Sequence, residues 1–117
     1  PFGMVGSVKV MSPRVLSTTN FTAGQTGTID VDGLEPGGRV VVGYSFAGNG
    51  PLDIRYGTLS LSAPFNQLPA LTADAAGHAS MNANIPAGLA GTTVFFHGGE
   101  LFGGGAAILT NPLTVVL

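Results

Sequence analysis

Ionisable side chains are scarce in this chain, so each candidate for chemistry can be weighed singly. His97 stands three residues before Glu100, in Val94-Phe95-Phe96-His97-Gly98-Gly99-Glu100. An imidazole beside a carboxylate is half of a metal site, or a general base with the group that orients it. The more economical reading is a histidine satisfied at the end of a β-prone strand. The second histidine, His78, follows Asp74-Ala75-Ala76-Gly77 and reads as an exposed turn residue. Asp30-Val31-Asp32-Gly33 has the start of a calcium loop. Calcium takes about six to eight oxygens, however, and no acidic ligand follows at loop spacing. Strand alternation accounts for both aspartates.

Gly98-Gly99 and Gly103-Gly104-Gly105 lack the lysine and the following helix of a phosphate loop. No serine lies in a nucleophile elbow and no H-E-x-x-H occurs. With no cysteine, disulfides, thiolate metal ligation and thiol catalysis are excluded. The expectation is a protein that is not an enzyme and uses neither metal nor cofactor. Tyr44, Phe46, Tyr56, Phe65 and Phe102 would supply a sugar-stacking platform, although there is no tryptophan and phenylalanine is more often core.

What surrounds these residues is unusually neutral. Charged residues are 9% of the chain, against roughly 25% in ordinary soluble domains. Lys9, Arg14, Arg39 and Arg55 stand against Asp30, Asp32, Glu35, Asp53, Asp74 and Glu100, for a net charge of −2. That composition offers nucleic acid no basic patch and a membrane surface no polybasic anchor. The mean hydropathy is +0.42, yet no apolar run approaches the roughly 20 residues that span a bilayer. The opening Pro1, in place of Met, reads as a processed chain whose targeting segment has gone. Such a surface must be built of Gly, Ser, Thr, Asn and exposed apolar groups. It suits a secreted domain with a neutral exterior, or a subunit covered largely by copies of itself. Either way, the location expected is extracellular or at a cell surface.

The elements that must position these residues are short strands. Gly33-Leu34-Glu35-Pro36-Gly37-Gly38 is a tight turn: Pro36 presets it, and Gly37-Gly38 supply positive φ without steric cost. It feeds the strongest strand. There Val40, Val42, Tyr44 and Phe46 share one face, and Arg39, Val41, Gly43 and Ser45 the other. The small, apolar character of that second face predicts that the chain's own loops or another subunit cover it. Upstream, residues 4–11 are a strand candidate and residues 14–16 a short edge piece. Residues 17–25 read as a polar connection containing the sequon Asn20-Phe21-Thr22. Residues 27–33 alternate, with Ile29 and Val31 inward.

Downstream, residues 51–57 are irregular, 58–61 form a strand, and 65–72 run extended with Pro69 marking an edge. Asp74-Ala75-Ala76-Gly77 turns a hairpin whose second arm points Ala79, Met81, Ala83 and Ile85 inward. Residues 87–91 link through one helical turn to a strand at 92–97. A glycine-rich loop at 98–105 and two strand pieces at 106–110 and 113–117 complete the chain. Nothing keeps a helical period over three turns. About 7–9 short strands punctuated by Gly and Pro in a chain of 117 residues indicate an all-β, immunoglobulin-like β-sandwich.

The segments TAGQTGTIDVDGLEPGGRVVVGYSFAGNGP, LPALTADAAGHASMNANIPAGLAGTTVFFHG and AAILTNPLTVVL carry a recognisable order. A Gly-Pro-Gly-type turn is followed by T-A-D-A-x-G-x-A at residues 72–79, I-P-x-x-L-x-G-x-T-V at 85–94 and a closing T-N-x-L-x-V at 110–115. Over residues 13–117 this resembles a repeat-type module of secreted proteins from planctomycete and myxobacteria-like species. The resemblance implies an exported immunoglobulin-like sandwich and transfers no catalytic residue. Residues 1–12 lie ahead of it as an extended arm or first strand, carrying Phe2, Met4, Val5, Val8 and Val10. An apolar arm of this kind is what strand donation to a neighbour requires. The expected function is therefore a self-associating structural subunit of an extracellular filament, sheath or surface layer. Its assembly contacts would be those arm residues and Val41. The alternative is a monomeric adhesion or carbohydrate-binding module.

Overall fold

The computed structural model describes residues 13–117. They form 11 strands and two single 3-10 turns, so the all-β reading holds with more strands than sequence patterning counted. In chain order the strands are β1 (Val15–Thr19), β2 (Thr26–Asp32), β3 (Arg39–Ser45), β4 (Leu52–Ile54), β5 (Gly57–Leu59), β6 (Asn66–Gln67), β7 (Leu71–Thr72), β8 (Ala79–Asn84), β9 (Thr93–Leu101), β10 (Ala107–Leu109) and β11 (Leu113–Val116). Every pairing among them is antiparallel.

One sheet has three strands in the order β1-β2-β8. A six-stranded sheet is centred on β9 and β3, with β10 and β11 successively along the far side of β9, and β6 and β7 along the far side of β3. Strands β4 and β5 make a separate hairpin. Leu16, Ile29, Val31 and Ala79 of the first sheet share one hydrophobic core with Val40, Val42, Val94 and Phe96 of the second. The alternation in β2 and β3 that marks residues 29, 31, 40 and 42 as inward is the alternation that builds this core.

The turn before β3 forms as its residues dictate. The Gly38 amide donates to the Glu35 carbonyl over 2.8 Å, and Gly37 takes φ 76°. Gly38 serves for a different reason: a Cβ there would run into the Glu100 carboxylate. The second turn is equally legible. Asp74 accepts from the Ala76 and His78 amides at 2.9 and 3.0 Å, while Gly77 sits at φ 79°.

Three segments depart from the sequence reading. Strand β1 runs on through Thr19, because Ser17, Thr18 and Thr19 pair with β2 despite their polarity. Residues 52–59 are an ordered hairpin, its turn held between short strands too brief to show a period. Pro69 interrupts an edge, as expected, by splitting β6 from β7 along β3. The largest difference is at residues 98–101. They continue β9 between β3 and β10, so the glycine-rich loop begins only at Phe102. Gly98 and Gly99 belong to this strand because neighbours crowd both faces: a Cβ on Gly98 would lie 3.2 Å from Val42 Cγ2, and one on Gly99 3.1 Å from Leu109 Cδ2.

Candidate functional site

Continuation of β9 through residue 101 separates His97 from Glu100. An offset of three along a strand puts two side chains on opposite faces. Glu100 turns into the space between the sheets, where its side chain is fully buried. Its Oε1 accepts from Arg14 Nε at 2.8 Å, and its Oε2 accepts from the Glu35 amide at 3.1 Å. One carboxylate thus ties the chain entering β1 to the turn that starts β3, across the end of the core.

His97 faces the other way and is equally committed. Its Nδ1 accepts from the Ser60 amide at 2.9 Å, which leaves Nε2–H to donate to the Thr110 carbonyl at 2.9 Å. Burial holds its pKa below the ordinary 6.5, against the opposing pull of the Thr110 bond. It is a neutral structural crosslink with no lone pair to spare, so the expected strand-end histidine is in fact mid-strand. His78 is partly exposed, and its Nε2 meets Asp30 Oδ1 at 2.9 Å. That hydrogen bond, with the charges of Asp32, Asp30 and Asp74, raises its pKa above 6.5. The Asp74 carboxyl is held below its ordinary 3.8, first by the His78 backbone amide. Among the described residues no three His, Asp or Glu side chains group closely enough to hold a metal ion.

The aromatic residues proposed for stacking do not form one platform. Four of the five divide between two concavities on different faces. Tyr44 and Phe46 stand edge to face at a centroid distance of 5.9 Å. Beside them Phe96 packs edge-on to Phe21 at 5.3 Å. With Leu68, Ile85 and other apolar side chains they line a groove of about 310 Å³. This groove runs across one end of the two sheets, from Leu68 beside β6 past Val94 to Leu117 after β11, with Phe21, Ala83 and Ile85 facing it from the other side. Phe46 is 48% exposed in it. Along the β1 edge the two sheets are joined directly. There the Asn111 side chain accepts from the Leu16 amide at 2.7 Å and donates to the Leu16 carbonyl at 3.0 Å. A side-chain amide thereby imitates a strand neighbour for β1 and joins it to the β10–β11 edge. In the sequence Asn111 stands out only through its place before Pro112 in the closing T-N-x-L-x-V segment.

Tyr56 and Phe65 instead line a cavity of about 400 Å³ beneath the β4–β5 hairpin, on the outer face of the six-stranded sheet. Val41 is half-buried in its wall. The same face of β3 carries Ser45, whose hydroxyl donates to the Ser62 carbonyl at 2.7 Å, and Gly43, against which Leu61 packs. The chain's own residues 52–62 therefore cover much of the face that the sequence predicted to be covered. Phe102 is exposed beyond the end of β9. Phe2, Met4, Val5, Val8 and Val10 lie outside the described residues.

No family model and no curated protein matches the sequence. The resemblance to secreted sandwich modules thus reduces to the architecture itself, an all-β chain of antiparallel sheets. Among the described residues no helix is long and apolar enough to cross a membrane.

Proposed function

We infer that this protein is an exported, non-enzymatic structural subunit whose two sheets face one another as an immunoglobulin-like sandwich. Copies associate by strand donation into an extracellular filament, sheath or surface layer. The observation that carries the reading is an apolar groove at one end of the sheets. Asn111 joins the sheets along the β1 edge, whereas this groove, lined by Phe21, Tyr44, Phe46, Leu68 and Phe96, stays open. Apolar side chains grouped at an opening are stabilised when an incoming segment covers them.

The occupant is the segment 1–12 of a second copy. Its sequence alternates apolar residues in the manner of a donated strand, with main-chain bonds giving affinity and side chains filling pockets. Pro13, where that segment joins the domain, packs against Gly33 at the Arg14–Glu100 end. The groove instead lies by Tyr44 and Phe46, at the far end of β3. A donor that joins at one end and an acceptor open at the other favour head-to-tail contacts, and such contacts extend into a filament when they do not close. Electron micrographs of the full chain test this. Filaments or sheets that disappear with Val8→Asp in the donor segment are the expected result. Polymers that persist with Val5→Asp and Val8→Asp together exclude donation by this segment.

A further inference from the structure

We propose that the cavity beneath the β4–β5 hairpin binds an acidic saccharide, a sugar ring carrying a carboxylate or sulfate. The first argument is charge. Arg39 and Arg55 both line this cavity, so two of the chain's four cations converge on it. No carboxylate lines it. Among the described residues neither arginine makes an ion pair, whereas Arg14 is held by Glu100. Both arginines are exposed, so an entering anion can reach them. In a protein of net charge −2, an uncompensated cationic rim is a local exception to the overall balance.

The second argument is the shape and chemistry of the walls. Arg55 lies over the Tyr56 ring, 5.2 Å from its centroid, an arrangement that orients a guanidinium while leaving its donors free. Tyr56 and Phe65 give aromatic surface for the apolar face of a pyranose, and the exposed Gln67 adds a donor and an acceptor for ring hydroxyls. The β9 portion of the wall includes Gly98 and Gly99, which contribute main chain and no side chain of their own. His97 takes no part in ionic contacts, because both ring nitrogens are engaged by Ser60 and Thr110. A volume of about 400 Å³ falls within the roughly 300–1,000 Å³ of small-ligand sites, room for one or two sugar rings. A guanidinium pairs a carboxylate or sulfate through two parallel bonds, which a neutral hydroxyl cannot match. Acidic sugars are thereby favoured over neutral ones. An unbranched lipid acid would use the anion site but leave the ring-stacking surface and Gln67 unmatched.

Titration calorimetry of the full chain tests the site, with a galacturonate disaccharide, a sulfated galactose disaccharide, unmodified galactobiose and decanoate as probes. The expected result is binding of either charged disaccharide at least tenfold tighter than galactobiose, weakening as salt rises. Arg39→Gln and Arg55→Gln should each weaken it about tenfold and the double substitution abolish it. Both positions are exposed, so thermal melting should stay unchanged and separate loss of binding from loss of fold. Equal binding of galactobiose, tighter binding of decanoate, binding indifferent to both substitutions, or no binding of any acidic disaccharide at millimolar concentration each overturns the proposal. None of these outcomes depends on whether the subunit assembles by strand donation.

Discussion

Replacing Glu100 with alanine tests how the closed end of the core is held. The substitution removes the carboxylate that accepts from Arg14 at 2.8 Å and from the Glu35 amide at 3.1 Å, with both charged side chains buried. Taking one partner from a buried pair costs about 3–5 kcal/mol, since the remaining charge has lost a partner that offset its desolvation. An unfolding entropy of about 2.1 cal/mol/K per residue gives about 0.25 kcal/mol/K for this chain of 117 residues. The melting temperature should therefore fall by about 12–20 °C. Against a total stability of about 5–15 kcal/mol, that is a large fraction. The paired substitution Arg14→Met with Glu100→Leu removes both charges and should recover part of the loss, the remainder being the Glu35 amide left without its acceptor. Calorimetric melts at neutral pH measure both variants. A fall under about 4 °C for Glu100→Ala, equivalent to about 1 kcal/mol, would refute the claim that this carboxylate anchors the end of the core.

The two histidines should give opposite pH signatures in thermal melts between pH 5 and 9. The raised pKa of His78 means that its contribution is complete below 6.5 and is lost as pH rises through the folded value. The deficit of His78→Asn should therefore be largest in acid and vanish in base. For His97 the folded pKa is depressed, so the native protein loses stability as pH falls below 6.5. His97→Gln should be destabilised throughout, with the gap to the native protein narrowing in acid. Asn111→Ala leaves the Leu16 amide and carbonyl at the β1 edge without their partner, and should cost about 1–3 kcal/mol in urea unfolding.

Much of the fold is legible because it rests on local chemistry. Pro36-Gly37, Asp74 with Gly77, and the alternation of Ile29, Val31, Val40 and Val42 each act through neighbours in sequence, so turn and strand rules find them. What escapes those rules is set by partners far along the chain. Gly98 and Gly99 read as loop residues, yet Val42 and Leu109 make them the crowded middle of a sheet. Glu100 reads as a companion for His97, until strand parity sends it to Arg14, 86 residues away. Asn111 reads as a turn residue, and its role depends on Leu16, 95 residues earlier. The aromatics read as a stacking platform or as core, and only the tertiary fold divides Tyr44 and Phe46 from Tyr56 and Phe65 between a groove and a cavity. The convergence of Arg39 and Arg55 was likewise invisible, because β3 and the β4–β5 hairpin meet only when the hairpin folds over the sheet.

Assembly through the apolar groove is the central claim, and light scattering on Phe46→Arg tests it most directly. Phe46 is 48% exposed, so the domain should tolerate arginine there, while a donated segment would have to bury an unpaired guanidinium in an apolar groove. The account predicts particles well above 11.7 kDa for the native chain and a monomer of that mass for Phe46→Arg. Both should melt within a few degrees of each other. A native chain that remains a monodisperse monomer at millimolar concentration, or a Phe46→Arg variant that polymerises as well as the native protein, would contradict it.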